Sequence, residues 1–374
     1  MVQSLPAHST LPYKAVGDQI VYFDIYSPTP ARWTETGIRN DTLQIPAVVY
    51  FHAGGLTVGN RESWFPFWLH RRATELGYVF LCPDYRLLPP ATGHDILSDI
   101  QDFMSFLDSY DAVFSLIVDG TQSQVNYKID PGAIILAGSS AGGLCAYLAA
   151  THVRPKPRAL LSLYGMGGDF ITPYWMEPKY KIFIPGREIL DPENFKEFIH
   201  PFSLSDITES ELQYHPANHP TPGLPANPRM YLARLYCQLG TYLDYYTGEH
   251  NPSLSASLRK RRQEMLAPQG DRDTRPIVEG WGSPLIPERH RCIFPQLSVT
   301  SNWPEVFMIH GTEDYHVPFH ESKHLKDLLE KASVKVALKV VERKGHSFDY
   351  DPKAEEEFKE LYDEVSRFLR RILG

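Results

Sequence analysis

A pair of serines near the middle of the chain stands where a nucleophile is expected. The segment "GSSAGG" (138–143) follows the apolar run "AIILA" and precedes "LCAYLAA", so it lies between a predicted strand and a predicted helix. Gly138, Ser140 and Gly142 satisfy a Gly-x-Ser-x-Gly pattern, in which a strained turn lifts the serine hydroxyl above a sheet. Ser139 has alanines at the flanking positions and lacks this frame. Ser140 is therefore the predicted nucleophile.

A second glycine-rich segment offers groups that would stabilise an anionic oxygen. "HAGGLTVGN" (52–60) directly follows another apolar run, and the backbone N–H groups of Gly54 and Gly55 are free to donate there. Together with the N–H of Ala141, just after the serine, they are predicted to form an oxyanion hole. Each such donor contributes about 3 kcal/mol to catalysis in known cases. The alternative for this loop is an ordinary glycine-rich connection after a strand. For the serine turn, the alternatives are a turn that merely packs the helix on the strand or a phosphate-binding loop, but the Lys-Ser/Thr pair of such a loop and the spacing of a dinucleotide fingerprint are both missing.

Two loops late in the chain supply a candidate acid and a candidate base. "MIHGTEDYHVP" (308–318) follows an apolar run and contains Glu313 and Asp314, and "VVERKGHSFDY" (340–350) follows the next run and contains His346. A base must sit at a strand end to reach the serine, and an acid beside it would fix the tautomer of its imidazole. The order serine, acid, histidine is the one expected for a nucleophile of this kind.

The elements that would position these residues alternate along the chain. The segments 19–27, 45–53, 78–86, 133–138 and 158–165 are rich in apolar and β-branched residues and are predicted strands, and 305–311 and 334–342 continue the series. Between them, 94–110, 141–153 and 354–373 have apolar residues at helical spacing. Strands that alternate with helices indicate an α/β fold, with a mostly parallel sheet covered by helices on both faces.

The alternation stops near residue 165 and resumes near residue 304. The intervening 165–302 segment, called the insertion below, is rich in Pro, Tyr, His and Gly and contains one amphipathic stretch, 231–246, and one basic stretch, 255–266. We expect a single domain over residues 1–374, with the insertion as a lid above the strand ends rather than as an independent domain. Its aromatic residues are candidates for lining a pocket: Tyr174, Trp175, Tyr231, Tyr242 and Tyr245.

The motifs together resemble those of the hormone-sensitive-lipase-like branch of the α/β-hydrolases. The resemblance rests on "HAGG", "DYRLLPP", "IDPGAIILAGSSAGG", "HGTEDYHVP" and "GHSFD"; it covers about 45–163 and 304–374 and is weak across the insertion. It implies a sheet of about eight strands, a catalytic triad of Ser140, Asp314 and His346, and an oxyanion hole at Gly54, Gly55 and Ala141.

The chain departs from the pattern of this branch at two positions. Ala53 replaces the first glycine after the histidine, which leaves the donor N–H groups in place, and Ser139 replaces the acidic residue that usually precedes the nucleophile. The helical N-terminal cap of many members also has no room, because strand-like sequence begins near Tyr13. We therefore expect the insertion to supply most of the lid.

Composition excludes several classes of partner. The formal net charge of −8 favours neither nucleic acid nor anionic lipid, and no uninterrupted apolar run is long enough to span a membrane. The four cysteines lack metal-ligand spacing, and no secretory signal is apparent, so a reduced cytoplasmic setting is expected. We expect no metal at His316, His320 and His324, and a solvated helix rather than a phosphate site at the basic 259–262 run. The oligomeric state stays open.

These features predict a serine hydrolase that cleaves a carboxylic ester of a small or medium hydrophobic molecule through an acyl-enzyme, without a cofactor. An acyltransferase, a lactonase or an amide hydrolase would use the same triad. A non-catalytic receptor for small molecules on the same fold is the alternative from another class.

Overall fold

The apolar runs of the sequence form the central strands of one sheet. A computed structural model describes residues 4–29, 42–117, 124–267 and 282–374. Nine strands lie within these ranges: β1 (Ser9–Val16), β2 (Gln19–Tyr26), β3 (Leu43–Phe51), β4 (Val79–Pro83), β5 (Phe114–Ile117), β6 (Gln124–Ser139), β7 (Ala159–Leu163), β8 (Glu305–Gly311) and β9 (Val336–Val341).

Ten α-helices are present in the same ranges, beside several short 3₁₀ turns. They are α1 (Phe67–Glu75), α2 (Gly93–Ser109), α3 (Ala141–His152), α4 (Pro173–Met176), α5 (Arg229–Leu239), α6 (Tyr242–Thr247), α7 (Leu254–Leu266), α8 (His320–Lys331), α9 (Ala354–Glu357) and α10 (Lys359–Leu373). No helix of the described ranges has the length and apolar character needed to cross a bilayer.

The sheet brings the carboxyl ends of its parallel strands to one edge. The strand order is β1-β2-β4-β3-β6-β7-β8-β9, and the short β5 pairs only with β6. The pairs from β4 through β3, β6, β7 and β8 to β9 are parallel, whereas β1, β2 and β5 run antiparallel to their neighbours. Ligands in sheets of this kind bind outside the carboxyl ends of the strands. The sheet therefore places the segments after β3, β6, β8 and β9 together.

Apolar side chains cover both faces of the sheet. One buried cluster joins the inner strands to α2, α3 and the insertion, and a second joins the opposite face to α1 and α10. The strand β7 is fully buried along its length, as expected for a central strand with helices on both faces. The predicted α/β fold with a mostly parallel sheet is confirmed.

The structure differs from the predicted elements at three places. The strand β1 begins before Tyr13, and with β5 it raises the number of strands to nine. The amphipathic stretch 231–246 is two helices, because Gly240 adopts a left-handed φ of 66° that ends α5. The closing helix is interrupted at Phe358, whose φ and ψ of −109° and 22° are not helical.

The insertion packs onto the sheet through the first apolar cluster. Trp175, Tyr242 and Leu258 belong to the same buried cluster as Leu144 of α3. The basic run of α7 is partly bound within the protein rather than solvated: Arg259 donates to the carbonyl oxygens of Met176 and Gly240 at 2.5 and 2.6 Å. Arg262 forms an ion pair with Glu177 at 2.5 Å. These contacts join α7 to α4 and to the end of α5.

Buried neutral histidines make the stability of the fold depend on pH. Burial lowers the pKa of His52 and of His70 to about 4, and the His70 ring lies among the rings of Tyr26, Phe65 and Phe80. An unfolded chain binds a proton at such a side chain near pH 6.5, whereas the folded chain does not until about pH 4. Each of these histidines therefore lowers the stability as the pH falls through this window.

We expect the free energy of unfolding to depend less steeply on pH in the variant His70→Phe. Between about pH 6 and pH 4.5, a single histidine that stays neutral when folded contributes a slope of up to about 1.4 kcal/mol per pH unit. Phenylalanine keeps an aromatic ring among the neighbouring rings and removes the titration. Urea unfolding at several pH values measures both slopes. Equal slopes for the two proteins would contradict the assignment.

Candidate active site

The turn between β6 and α3 holds Ser140 in a strained backbone conformation. Its φ of 52° and ψ of −116° lie in a region that residues with a side chain rarely adopt. Two of its backbone hydrogen bonds join it to the segment around the end of β7: its N–H donates to the carbonyl of Leu163 at 2.9 Å, and its carbonyl accepts from the N–H of Met166 at 3.0 Å. Both partners lie at or after the end of the neighbouring strand β7.

The two flanking glycines are required by close backbone contacts. A Cβ atom at Gly138 would collide with the carbonyl of Gly142, and a Cβ atom at Gly142 would collide with the carbonyl of Phe51 at the end of β3. Only glycine fits at either position. The Gly-x-Ser-x-Gly spacing is thus a consequence of how tightly the first turn of α3 lies over the sheet.

The two neighbouring serines have different environments. Ser139 is fully buried, and its Oγ shares a hydrogen bond of 2.7 Å with the hydroxyl of Tyr50. Ser140 lines a cavity of about 450 Å³ at the carboxyl ends of the strands. Of this pair, only Ser140 lines the cavity.

The loop after β3 presents unpaired backbone N–H groups beside this serine. Gly54 and Gly55 have left-handed φ angles of 115° and 61°, and both line the cavity with Ala53. In the described ranges, the N–H groups of Gly54, Gly55 and Ala141 have no hydrogen-bond acceptor in the protein. A methyl group at Ala53 is accommodated, with 6% of this residue exposed.

The insertion fixes the conformation of this loop. The guanidinium of Arg229, at the start of α5, donates to the carbonyls of Thr57 (3.2 Å), Leu88 (3.0 Å) and Pro89 (2.6 Å). The hydroxyl of Thr57 returns a bond to the carbonyl of Arg229 at 3.1 Å, and the hydroxyl of Tyr242 donates to the carbonyl of Gly55 at 3.0 Å. Sequence reasoning missed Arg229, because a buried arginine whose partners are carbonyls leaves no pattern of paired charges.

Asp314 and His346 lie side by side after β8 and β9. Nδ1 of His346 is 2.6 Å from Oδ2 of Asp314, and Oδ1 of Asp314 accepts from the N–H groups of His316 (2.8 Å) and Val317 (3.0 Å). His310, fully buried, brings its Nε2 to 3.2 Å from Oδ2. Burial raises the pKa of Asp314, but His346 and His310 outweigh it and hold the pKa well below the usual range. Glu313, the alternative acid, is exposed.

A buried carboxylate outside the predicted set supports the loop that carries His346. Asp349 accepts from the hydroxyl of Tyr164 at 2.6 Å and from Nε1 of Trp68 at 3.1 Å. The ring of Tyr164 in turn lies edge-on to that of His346, with centroids 4.6 Å apart. Asp349 stands three residues after His346 in the segment "GHSFD", which was the only signal for it in the sequence.

The cavity joins these groups to residues of the insertion. Ser140 and His346 both line it, although no hydrogen bond connects the hydroxyl of Ser140 to the imidazole in the described ranges. Apo active sites often have such loose geometry and tighten when substrate binds. Four of the five predicted aromatic residues also line it: Tyr174, Trp175, Tyr231 and Tyr242. Tyr245 instead stacks on Tyr236, with centroids 3.6 Å apart.

The three histidines spaced four residues apart, His316, His320 and His324, do not converge on a common point. His316 lies against His346, with ring centroids 5.2 Å apart. His320 is 3.9 Å from a carboxylate oxygen of Asp169, and Nδ1 of His324 is 2.7 Å from the carbonyl of Gly168. Each of the three has its own neighbour within the protein.

Curated relatives of the chain include esterases. It is 34% identical over 155 residues to the probable carboxylesterase M8 of Phoma sp., which covers 41% of this chain and 45% of that protein. It is 23% identical over 336 residues to a probable isoprenylcysteine alpha-carbonyl methylesterase of Oryza sativa subsp. japonica, covering 89% and 60%. It is also 24% identical over 314 residues to the non-reducing polyketide synthase ausA of Aspergillus calidoustus, covering 81% and 12%. The chain thus spans less than two thirds of the length of each of these relatives.

Solved structures share the fold at low sequence identity. An alpha/beta hydrolase superfamily protein from Enterococcus faecalis superposes with a TM-score of 0.56 at 18% identity, covering 98% of this chain and 99% of that one. Esterase 2 of Thermogutta terrifontis superposes with a TM-score of 0.53 at 14% identity, covering 100% and 98%.

Family models match both halves of the chain. The model described as alpha/beta hydrolase fold matches residues 48–238, and that of the prolyl oligopeptidase family matches residues 256–374. The first match includes the strained serine turn and the glycine loop, and the second includes Asp314 and His346. The chain therefore belongs to the α/β-hydrolase family.

Proposed function

We propose that this protein is a serine hydrolase that cleaves a carboxylic ester of a small or medium hydrophobic molecule. The observation that carries the proposal is the convergence of three kinds of group on one cavity. These are a strained serine, a histidine bonded to a buried carboxylate, and a set of backbone N–H groups without an acceptor. The probable carboxylesterase at 34% identity adds support for an ester as the substrate.

The proposed reaction begins with attack of Ser140 Oγ on the ester carbonyl. Because Nδ1 of His346 is hydrogen-bonded to Asp314, the neutral imidazole keeps its proton on Nδ1. Its Nε2 is then free to take the proton of the serine hydroxyl. The carbonyl oxygen becomes an anion, which accepts from the N–H groups of Gly54, Gly55 and Ala141. His346 then gives its proton to the leaving alcohol, and the acyl-enzyme remains.

Water completes the proposed cycle through the same groups. His346 takes a proton from a water molecule, whose oxygen attacks the acyl carbonyl, and returns that proton to Ser140 as the acid leaves. Asp314 stays ionised throughout, because its low pKa keeps it charged at any pH at which the imidazole is neutral. No metal or cofactor takes part in these steps.

The insertion, residues 165–302, is proposed to act as a lid within a single domain of residues 1–374. Tyr174 fastens it to the acid loop, because its hydroxyl donates to the carbonyls of Tyr315 and His316, both at 2.9 Å. Acyl transfer to an alcohol, or cleavage of a lactone or an amide, would use the same catalytic groups. A receptor that performs no chemistry on this fold would lack an activated serine, which a fluorophosphonate probe detects.

We expect Ser140→Ala to lower ester hydrolysis by at least about 10³-fold, since removal of a triad residue has this effect in related mechanisms. Ser139→Ala serves as the matched control. This variant removes a hydroxyl that is hydrogen-bonded to Tyr50, and its activity should stay within about tenfold of that of the native protein. Rates on p-nitrophenyl butyrate, with mass spectrometry of phosphonylated protein, measure both effects. An adduct on Ser139, or no labelling of the native protein, would overturn the assignment.

We expect Asp314→Asn to reduce turnover by about 10²- to 10⁴-fold, because the amide cannot hold the imidazole in the required tautomer. The neighbouring Glu313→Gln removes one exposed charge by the same chemical change and should leave turnover within about threefold. Circular dichroism of both variants verifies folding. A greater loss in Glu313→Gln than in Asp314→Asn would show that the acid is misassigned.

Chain-length preference follows from the size of the cavity. A volume of about 450 Å³ encloses a modest substrate. Each methylene that fits gains about 0.8 kcal/mol from burial, whereas one beyond the walls stays wet or clashes. We expect kcat/KM to peak at acyl chains of roughly two to eight carbons on a series of p-nitrophenyl esters. A maximum at long chains, with a jump in rate when the substrate forms micelles, would contradict the bounded cavity.

A further inference from the structure

The cavity beside Ser140 contains cationic side chains but no anionic ones. Arg187 and Arg234 both line it, and none of the other described residues in its wall is aspartate or glutamate. The whole chain carries a formal net charge of −8. Two arginines in this wall are therefore a local departure from the acidic character of the molecule.

Neither guanidinium has a hydrogen-bond or ion-pair partner in the described ranges. Arg234 is half-buried on α5, with its guanidinium carbon 5.5 Å from the centroid of the Tyr231 ring. Its N–H groups donate to no carboxylate or carbonyl of the described residues. Arg187 is exposed at the rim and likewise has no acceptor for its side chain. By contrast, Arg61 and Arg86 are each paired with carboxylates.

The two arginines act on each other and on the catalytic histidine's neighbour. Burial, and then the charge of Arg187, lower the pKa of Arg234, while Glu188 raises it without forming an ion pair. Although His316 has an exposed surface, its pKa is lowered, first because packed atoms remove part of its ring from water and then by the charges of His346 and of both arginines. His316, the proposed base His346 and both arginines line the same cavity, and the His316 ring is 5.2 Å from that of His346.

Two guanidinium groups without a counter-ion are electrostatically unfavourable in this position. Two like charges near each other, one of them partly removed from water, each disfavour the charged form of the other. A carboxylate between them would relieve this repulsion, and its planar oxygens match the donor fork of arginine. The arrangement therefore favours a bound anion over a neutral group.

We propose that the substrate is an ester that also bears a free carboxylate, which Arg234 and Arg187 bind while Ser140 attacks the ester group. The proposal rests on the function proposed above and narrows its substrate class. In this role the two arginines determine specificity and take no part in the bond-making steps.

Two pairs of esters test the proposal on either side of the scissile bond. For a carboxylate on the acyl side, p-nitrophenyl hemisuberate is compared with p-nitrophenyl methyl suberate. For a carboxylate on the alcohol side, 3-(4-acetoxyphenyl)propanoate is compared with its methyl ester. In each pair, methylation removes the charge and adds one methyl group, and the release of the phenol, rather than of methanol, is followed for both members. We expect kcat/KM to favour the anionic member of at least one pair by about tenfold or more at low ionic strength, and the ratio to decrease in 0.5 M NaCl.

Substitution of the arginines gives a second measurement. Arg234→Gln and Arg187→Gln should reduce the ratio of anionic to neutral kcat/KM toward one, chiefly through KM. Arg370→Gln, which removes an exposed arginine from the far end of α10, is the matched control and should leave the ratio unchanged. A purely structural effect would lower both members of a pair equally and would not move the ratio.

The outcomes separate this proposal from the one on which it rests. Hydrolysis of the neutral esters with no preference for the anionic member of either pair would overturn the carboxylate site and leave the hydrolase intact. A preference that persists in Arg234→Gln and in Arg187→Gln would overturn the assignment to these residues. Failure to hydrolyse any of the four esters, with no labelling of Ser140, would overturn both.

Discussion

The close approach of α3 to the end of β3 is the constraint on which the site depends. With no side chain at Gly142, the first turn of the helix lies directly against the carbonyl of Phe51, and the glycine loop begins immediately after that residue. The serine hydroxyl and the N–H groups of the loop are thereby brought to the same cavity. A single additional methyl group at either flanking glycine would push the serine and these donors apart.

The remaining groups are fixed by contacts between segments far apart in the chain. Glu321, fully buried at the start of α8, accepts from the N–H of Gly167 at 2.7 Å and from Nε1 of Trp175 at 2.7 Å. It thereby holds the first part of the insertion beside the loop of Asp314. Asp349 stabilises the loop of His346 in the same way, because it accepts hydrogen bonds from Tyr164 and Trp68. Two buried carboxylates outside the proposed triad thus support the loops of Asp314 and His346 through hydrogen bonds.

The sequence predicted what short motifs and periodic patterns can encode. The apolar runs predicted the central strands, and the Gly-x-Ser-x-Gly spacing indicated the strained turn, because both depend on residues close together in the chain. The break of α5 at Gly240 was missed because the apolar spacing continues through it. Arg229, Glu321 and Asp349 were missed for a different reason. The partners of these three side chains lie 140 to 281 positions away, and several are backbone atoms, so only the folded chain reveals them.

The anchoring of α5 by Arg229 also has a consequence for how the protein changes over evolutionary time. The same helix presents Tyr231 and Arg234 to the cavity and, through Arg229, fixes the loop that carries Gly54 and Gly55. Under the proposed function, selectivity and turnover are therefore linked through this helix. A substitution that reshapes the wall by shifting α5 also displaces the backbone donors beside the serine. New substrates are reached at least cost by exchanging side chains on a fixed helix, rather than by moving the helix itself.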